Sequence, residues 1–314
     1  MTVGEILVEI MRKEVGVSLY ENGDFQGPFP SGAPAIFADA VARLGQDSGI
    51  VGGVGDDDFG RCCIDRLEGD GVDTSAVEIL EGVSTGVAFV TYFLDGSRKF
   101  IYHIENAAAG KIDKTLLDER HFEGMKALHI NGSSLLAGER MREVCYKAVD
   151  LAKEKDALVS FDPNVRVELG ELEEIRRLMA PVLEEADIVI PSGRELQAVV
   201  GVKERAKAVE KLLDREVELI VLKKGDKGCE IYSGEEHVEV PPFSVREVDP
   251  TGAGDAFSAA IVVGTIEGMP LEVLGNFANA TGAKAVTAKG PMEGLARREE
   301  IDDMLERRGF NELI

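Results

Sequence analysis

Basic residues are scarce in this sequence, long apolar runs are missing, and cysteine and histidine never fall at metal-binding spacing. Only 35 lysines and arginines stand against 58 aspartates and glutamates, a formal net charge of −23 over 314 residues. So acidic a surface repels nucleic-acid phosphates and anionic lipid, and neither is expected as a partner. No stretch reaches the ~18 consecutive apolar residues of a membrane span. The opening MTVGEILVEIM carries no basic n-region and no small-residue cleavage site, which makes the expected location cytoplasmic. Cys62, Cys63, Cys145 and Cys229 form no C-x-x-C, and adjacent Cys62 and Cys63 are poor disulfide partners, so reduced thiols are expected. His103, His121, His129 and His237 read as structural or surface groups.

The hydrophobic content, 44%, is enough for a large α/β core. The most informative stretch is residues 247–262, EVDPTGAGDAFSAAIV: a glycine-bearing turn followed by a small-residue run that reads as a helix. A helix start presents unpaired N–H groups and the positive end of a dipole, which together make an anion site. Gly252 and Gly254 let the backbone approach that anion closely. A carboxylate at Asp255 would repel the anion unless it serves as a general base beside a transferring phosphoryl group. An ordinary aspartate, with a pKa near ~3.9, suffices when the proton leaves late. The plainer alternative is a glycine turn with an aspartate cap.

The remaining chain is expected to alternate strands and helices. Val3–Ile10 reads as a first strand, in which Glu9 either faces a ligand or forms an ion pair at an edge. Residues 31–45, SGAPAIFADAVARLG, have helical periodicity closed by Gly45. Residues 48–60, SGIVGGVGDDDFG, read as a strand, an acidic turn and a helix from Phe59. The charge of Asp56–Asp58 suits a helix start better than a metal. Thr85–Ile104 alternates about Asp95-Gly96 as a hairpin. Strands are then expected at Ala127–Asn131, Ala157–Asp162, Asp187–Pro191, Glu218–Leu222 and Cys229–Tyr232. A helix is expected after Gly132-Ser133 through Lys153, another toward Glu185, and a small-residue helix over Asn276–Gly290. Such alternation argues for a parallel sheet with helices on both faces and ligands at the C-terminal strand ends. Asn131, Asp162, Asn164, Arg166 and Ser192 would share that edge. Lys223, Lys224 and Lys227 cluster in a glycine turn that is either solvated or beside a phosphate.

D-P-T-G-A-G-D-A-F-S-A-A, residues 249–260, resembles the C-terminal signature of the ribokinase-like (PfkB) carbohydrate kinases. Weaker likenesses follow the chain in order: G-E at 4–5, S-G-A-P-A-I at 31–36, G-V-G-D-D-D-F-G at 53–60, D-P-N-V-R at 162–166 and P-S-G-R-E at 191–195. The resemblance implies a three-layer α/β/α fold, doubly wound on a mostly parallel sheet. It further implies a single kinase domain with a small β lid from about residues 11–31 and 84–106. By it, Gly252, Ala253 and Gly254 form the anion hole and Asp255 is the base. Glu9, Gly32, Ala33, Phe89, Tyr102, Asn131 and Arg166 are the implied sugar contacts. Lys223, Gly225, Gly228 and Asn279 lie near the nucleotide. Glu195 handles Mg2+, and a monovalent cation such as K+ lies near Asp249, as is common among relatives. The implied substrates are ATP and a small sugar, and a homodimer through the lid is expected. Four positions depart from the family pattern: Glu9 for aspartate, Ser31 for glycine, Ile36 for asparagine and, more mildly, Ser192 for asparagine. The closest look is to ketohexose kinases. A 2-keto-3-deoxygluconate kinase is the alternative, with Arg98 or Arg166 facing the carboxylate. More remote readings are a nucleoside kinase and a non-catalytic sugar sensor.

Overall fold

Aliphatic residues three in a row at 188–190 enter opposite apolar clusters: Ile188 and Ile190 pack on one side, Val189 on the other. Leu219 and Val221 divide from Ile220 in the same way, the signature of strands buried on both faces. The computed structural model describes residues 1–165 and 171–310.

Its strands are β1 (Thr2–Val3), β2 (Leu7–Arg12), β3 (Phe25–Ser31), β4 (Ser48–Gly55), β5 (Val72–Asp73), β6 (Val77–Leu80), β7 (Gly86–Tyr92), β8 (Arg98–His103), β9 (Ala127–Asn131), β10 (Leu158–Asp162), β11 (Ile188–Val189), β12 (Leu219–Lys223), β13 (Cys229–Ser233) and β14 (Glu236–Val240). Its α-helices are α1 (Ala33–Arg43), α2 (Asp58–Gly69), α3 (Gly132–Leu136), α4 (Glu139–Glu154), α5 (Leu172–Glu185), α6 (Glu195–Val200), α7 (Arg205–Leu213), α8 (Ala253–Ile266), α9 (Leu271–Ala285) and α10 (Arg298–Glu306).

The large sheet runs β14-β13-β12-β11-β10-β9-β1-β4-β5, with β6 also paired to β4. It is parallel from β12 through β5, and β13 and β14 add an antiparallel edge. Helices α1, α8, α9 and α10 pack on one face, and α3 to α7 on the other. This is the ribokinase-like α/β arrangement. A separate four-stranded sheet, β3-β2-β7-β8, stands beside it. Among the described residues no helix is long and apolar enough to cross a membrane.

Two elements differ from the sequence reading. The single first strand is broken: β1 belongs to the large sheet and β2 to the small one. Between them Gly4 donates to Val51 O, and a Cβ at Gly4 would come within 2.1 Å of Ser134 Oγ. No side chain fits there, and beyond this glycine the chain passes from the large sheet to the small one, which holds Glu9. The helix expected through Lys153 is also broken, because Gly138 (φ 140°) starts α4 anew after α3.

The acidic turn at 56–58 behaves as a helix start. Asp57 caps α2 by accepting from Gly60 N at 2.8 Å, and it also accepts from Thr85 N (2.8 Å) and Thr85 Oγ1 (2.7 Å). Burial alone would raise this carboxyl, but the donors from Thr85 and Gly60 outweigh it and hold it below the usual aspartate range. Its stabilisation is therefore complete above the unfolded value and lost as pH falls through the folded one. Asp57→Ala is expected to lower stability by about 1–2 kcal/mol at pH 7, with a smaller gap at pH 3; urea unfolding at both pH values measures it.

Candidate active site

Helix α8 begins where the backbone can turn left-handed: Gly252 sits at φ 80°, and a Cβ there would meet Pro291 O at 2.2 Å. Any other residue would displace the turn, so glycine is required on two counts. The first N–H groups of α8 have no partner within the helix, and the helix start borders a cavity of about 960 Å3 lined by residues of both sheets. Gly252, Ala253, Gly254 and Asp255 all line it. Asp255 is 8% exposed, and Asn131 Nδ2 donates to its Oδ1 at 3.4 Å. Asn131 is fully buried behind it, at the end of β9, and does not line the cavity.

The Lys223 ammonium lies close to this turn. Lys223, at the end of β12, is ion-paired with Asp162 Oδ2, and a methyl group placed on Gly254 would lie 3.6 Å from its Nζ. Asp162 also accepts from Ser258 Oγ (3.0 Å) on α8 and Asn164 N (3.1 Å). Glu195, at the start of α6, accepts from Ser192 N (2.7 Å) and Val165 N (2.9 Å). Burial, reinforced by the charge of Asp162, raises its carboxyl above the ordinary range, against the pull of Lys223. Lys224 also lines the cavity, but its ammonium is paired outside this group. Lys224 pairs with Glu230 (2.8 Å) and Glu239 (3.6 Å), so the three lysines of the turn do not act as one cluster.

At the opposite end, Glu9, Gly32, Ala33 and Tyr102 line the cavity together with Glu5, Ile36 and Arg98. Ser31 Oγ donates to Glu9 Oε1 at 2.8 Å, so two of the departures from the family pattern touch each other: the longer acid is met by a serine. Phe89 is corrected. Strand register pairs Ala88 with Tyr102 and Phe89 with Ile101, so Phe89 and Tyr102 face opposite sides of the small sheet. Phe89 packs edge-on against Phe25 (5.9 Å) and His103 (6.2 Å), away from the cavity. Arg166 lies outside the described residues.

The nucleotide candidates separate as well. Gly225 and Gly228 line the cavity with Lys223. Gly228 (φ 85°) admits no side chain, since a Cβ would meet Val240 O at 2.0 Å. Asn279 lines the same end, but its amide is spent on Val240 O (3.2 Å) and Pro241 O (3.1 Å), fastening α9 to the edge strand. The small residues of α9 serve close packing: a Cβ at Gly275 would come within 2.5 Å of Val240 Cγ2. Asp249 does not line the cavity. It is 2% exposed and accepts from Tyr92 OH (2.8 Å), Thr251 N (3.0 Å) and Gly290 N (3.0 Å). Among the described residues no group of three metal-ligating side chains converges.

Sequence reasoning missed Asp162 as the partner of Lys223 and Ser258 as a donor to Asp162. It also missed residues 242–245 as a cavity wall, to which Pro242, Phe243, Ser244 and Val245 contribute. D-P-N at 162–164 was a visible signal for Asp162; the wall has no periodicity to read. His129 proves structural: it stacks on Phe37 (3.9 Å), Nδ1 meets Ser160 Oγ at 3.0 Å, and burial together with Lys223 pushes it well below the usual histidine range.

Comparison with known proteins agrees with this geometry. Residues 1–297 match the pfkB family carbohydrate kinase profile. Fructokinase-1 of Zea mays is 35% identical over 317 residues, covering 98% of this chain and 97% of that protein. An E. coli structure provisionally named ribokinase II, in complex with ATP and Mg2+, superposes with a TM-score of 0.92 at 42% identity, covering 98% of each chain. A fructokinase double mutant from Vibrio cholerae, in a form with fructose, ADP and potassium ion bound, gives a TM-score of 0.84 at 26% identity over 96% of each chain. The chain therefore belongs to the pfkB family of carbohydrate kinases, phosphotransferases with an alcohol group as acceptor.

Proposed function

We propose that this kinase transfers the γ-phosphoryl group of ATP to a hydroxyl of a ketohexose, with fructose the first candidate. The observation that carries this reading is the meeting, in one cavity, of Asp255, the open N-terminus of α8 and the Lys223 ammonium. The fructokinase relatives, similar along the whole chain, supply the sugar class. Asp255 takes the proton of the attacking hydroxyl as the new O–P bond forms and the bond from the γ-phosphorus to the β-phosphate oxygen breaks, releasing ADP. The N–H groups of Gly252, Ala253 and Gly254 stabilise the charge on the transferring oxygens, and Lys223 adds a fixed positive charge beside them. Gly225 and Gly228 shape the nucleotide end, while Glu9, Gly32, Ala33 and Tyr102 shape the sugar end.

Mg2+ held mainly by phosphates and water suits this site, where no cage of three protein ligands exists among the described residues, and Glu195 on the cavity wall would reach it through water. Bound there, the ion would neutralise phosphate charge. A monovalent cation near Asp249, pairing of two copies through the small sheet and a cytoplasmic location complete the reading. A sugar acid is the second candidate, favoured by Arg98 on the cavity wall.

An ADP-release assay across ketohexoses, ribose, 2-keto-3-deoxygluconate, inositol and nucleosides tests the proposal. Fructose or a close ketohexose is expected to give the highest kcat/KM. A sugar acid as best substrate would move the assignment to the second reading, and silence across the panel would defeat both.

A further inference from the structure

The rung that closes the β7–β8 hairpin pairs Tyr92 with Arg98, and both side chains reach the same residue, Thr251. Tyr92 OH lies 2.8 Å from Asp249 Oδ1 and 2.8 Å from Thr251 Oγ1, and Arg98 Nη1 lies 3.3 Å from that Oγ1. The directions of these bonds can be assigned. The buried Asp249 is the acceptor for the Tyr92 hydroxyl, so the Tyr92 oxygen accepts from Thr251, and Thr251 accepts from Arg98. A single relay runs from Arg98 through Thr251 and Tyr92 to Asp249. Burial, with the charge of Asp249 beside it, pushes the Tyr92 phenol up from its ordinary value and keeps it a donor. Thr251 immediately precedes Gly252, where α8 begins. The far end of Tyr92 is anchored too: its carbonyl accepts from Gly16 N at 2.8 Å, and Thr91 Oγ1 donates to Val17 O at 2.6 Å.

We propose that Tyr92 is a positioning residue that holds the Thr251–Gly252 turn only while the small sheet is packed over the cavity, so that the anion site is complete only when the sugar end is covered. The proposal rests on the reading of Gly252–Asp255 as the phosphoryl site. When the sheet lifts, the Tyr92 and Arg98 contacts leave together, since they belong to one rung. Asp249 then keeps only its two backbone donors, and Thr251 loses both side-chain partners. The turn loosens, and ATP without a sugar beneath the sheet meets a poorer catalyst.

Tyr92→Phe removes the hydroxyl and keeps the ring. Hydrogen exchange of peptides spanning residues 249–256 is expected to speed up in this variant. With the best sugar, kcat is expected to fall about tenfold while the sugar KM moves less than about twofold. Thr251→Val cuts the same relay at its middle, and adding Tyr92→Phe to it is expected to cost nothing further in kcat. Unchanged exchange with unchanged kcat in Tyr92→Phe would overturn the inference, as would equal losses in both backgrounds. Should Tyr92→Phe prove too unstable to assay, which thermal unfolding would reveal, the exchange rates and kcat of Thr251→Val decide alone. If the wild type turns over no sugar, the proposed chemistry fails, while the exchange measurement still decides whether the strut exists.

Discussion

Asp255→Asn is expected to lower kcat by about a thousandfold, within the range that a positioned base supplies, and to leave ATP affinity within a few-fold of wild type. The replacement keeps size and shape, and an amide oxygen can still accept from Asn131 Nδ2, which donates at 3.4 Å in the wild type. What it loses is the capacity to take a proton from the attacking hydroxyl. The N–H groups of the first turn of α8 and the Lys223 ammonium are untouched, so phosphate binding is retained. Steady-state ADP release and calorimetric titration with a non-hydrolysable ATP analogue separate the two effects. Equal kcat in wild type and variant would remove Asp255 as the base. A parallel loss of nucleotide binding would instead mean that Asp255 helps hold the turn together.

Lys223→Met is expected to cost about 3 kcal/mol of stability, the scale of breaking a buried ion pair by removing one partner. The Lys223 and Asp162 side chains are 11% and 1% exposed, so neither charge is well solvated. Asp162 would keep Ser258 Oγ and Asn164 N as donors but lose its cation. Glu195, already raised by burial and by Asp162, would lose the charge that opposes that shift. A carboxyl raised further in the folded state contributes stability below its unfolded value and loses it as pH rises through the folded one. The gap between wild type and Lys223→Met should therefore be wider at pH 8 than at pH 5. Denaturant unfolding at the two pH values measures it. Adding Asp162→Asn to Lys223→Met should recover part of the loss, because the stranded charge is then gone. No recovery would show that packing of the lysine stem, and not its charge, supports the site. Activity of Lys223→Met is expected to fall with ATP KM rising, since the fixed positive charge beside Gly254 is removed.

The local chemistry was legible because it is written in adjacent residues. The glycine turn before a small-residue helix at 252–266, the aspartate cap before α2 and the hairpin about Asp95-Gly96 each depend on contacts a few residues apart. Strand–helix alternation from residue 127 onward likewise gave the parallel sheet and the edge where Asp162 and Ser192 meet the cavity.

Alternation by two says which residues of a strand share a face, but not which face meets the cavity. Tyr102 and Phe89 were indistinguishable until the register of β7 and β8 set them on opposite sides. Adjacent lysines carry no record of their partners. Only the approach of β10, α8 and the β13–β14 edge sends Lys223 to Asp162 and Lys224 to Glu230. The demand for glycine at position 4 comes from Ser134, 130 residues away, and the break beside it places Glu9 in the small sheet and not in a strand of the core. The sequence by itself determined the family and the glycine turn that opens α8 with Asp255 in its first turn, because each needs only near neighbours and backbone freedom. Tertiary structure decided which charges pair, which aromatic faces the sugar end and how Tyr92 reaches the turn before α8, because those contacts join segments as much as 159 residues apart.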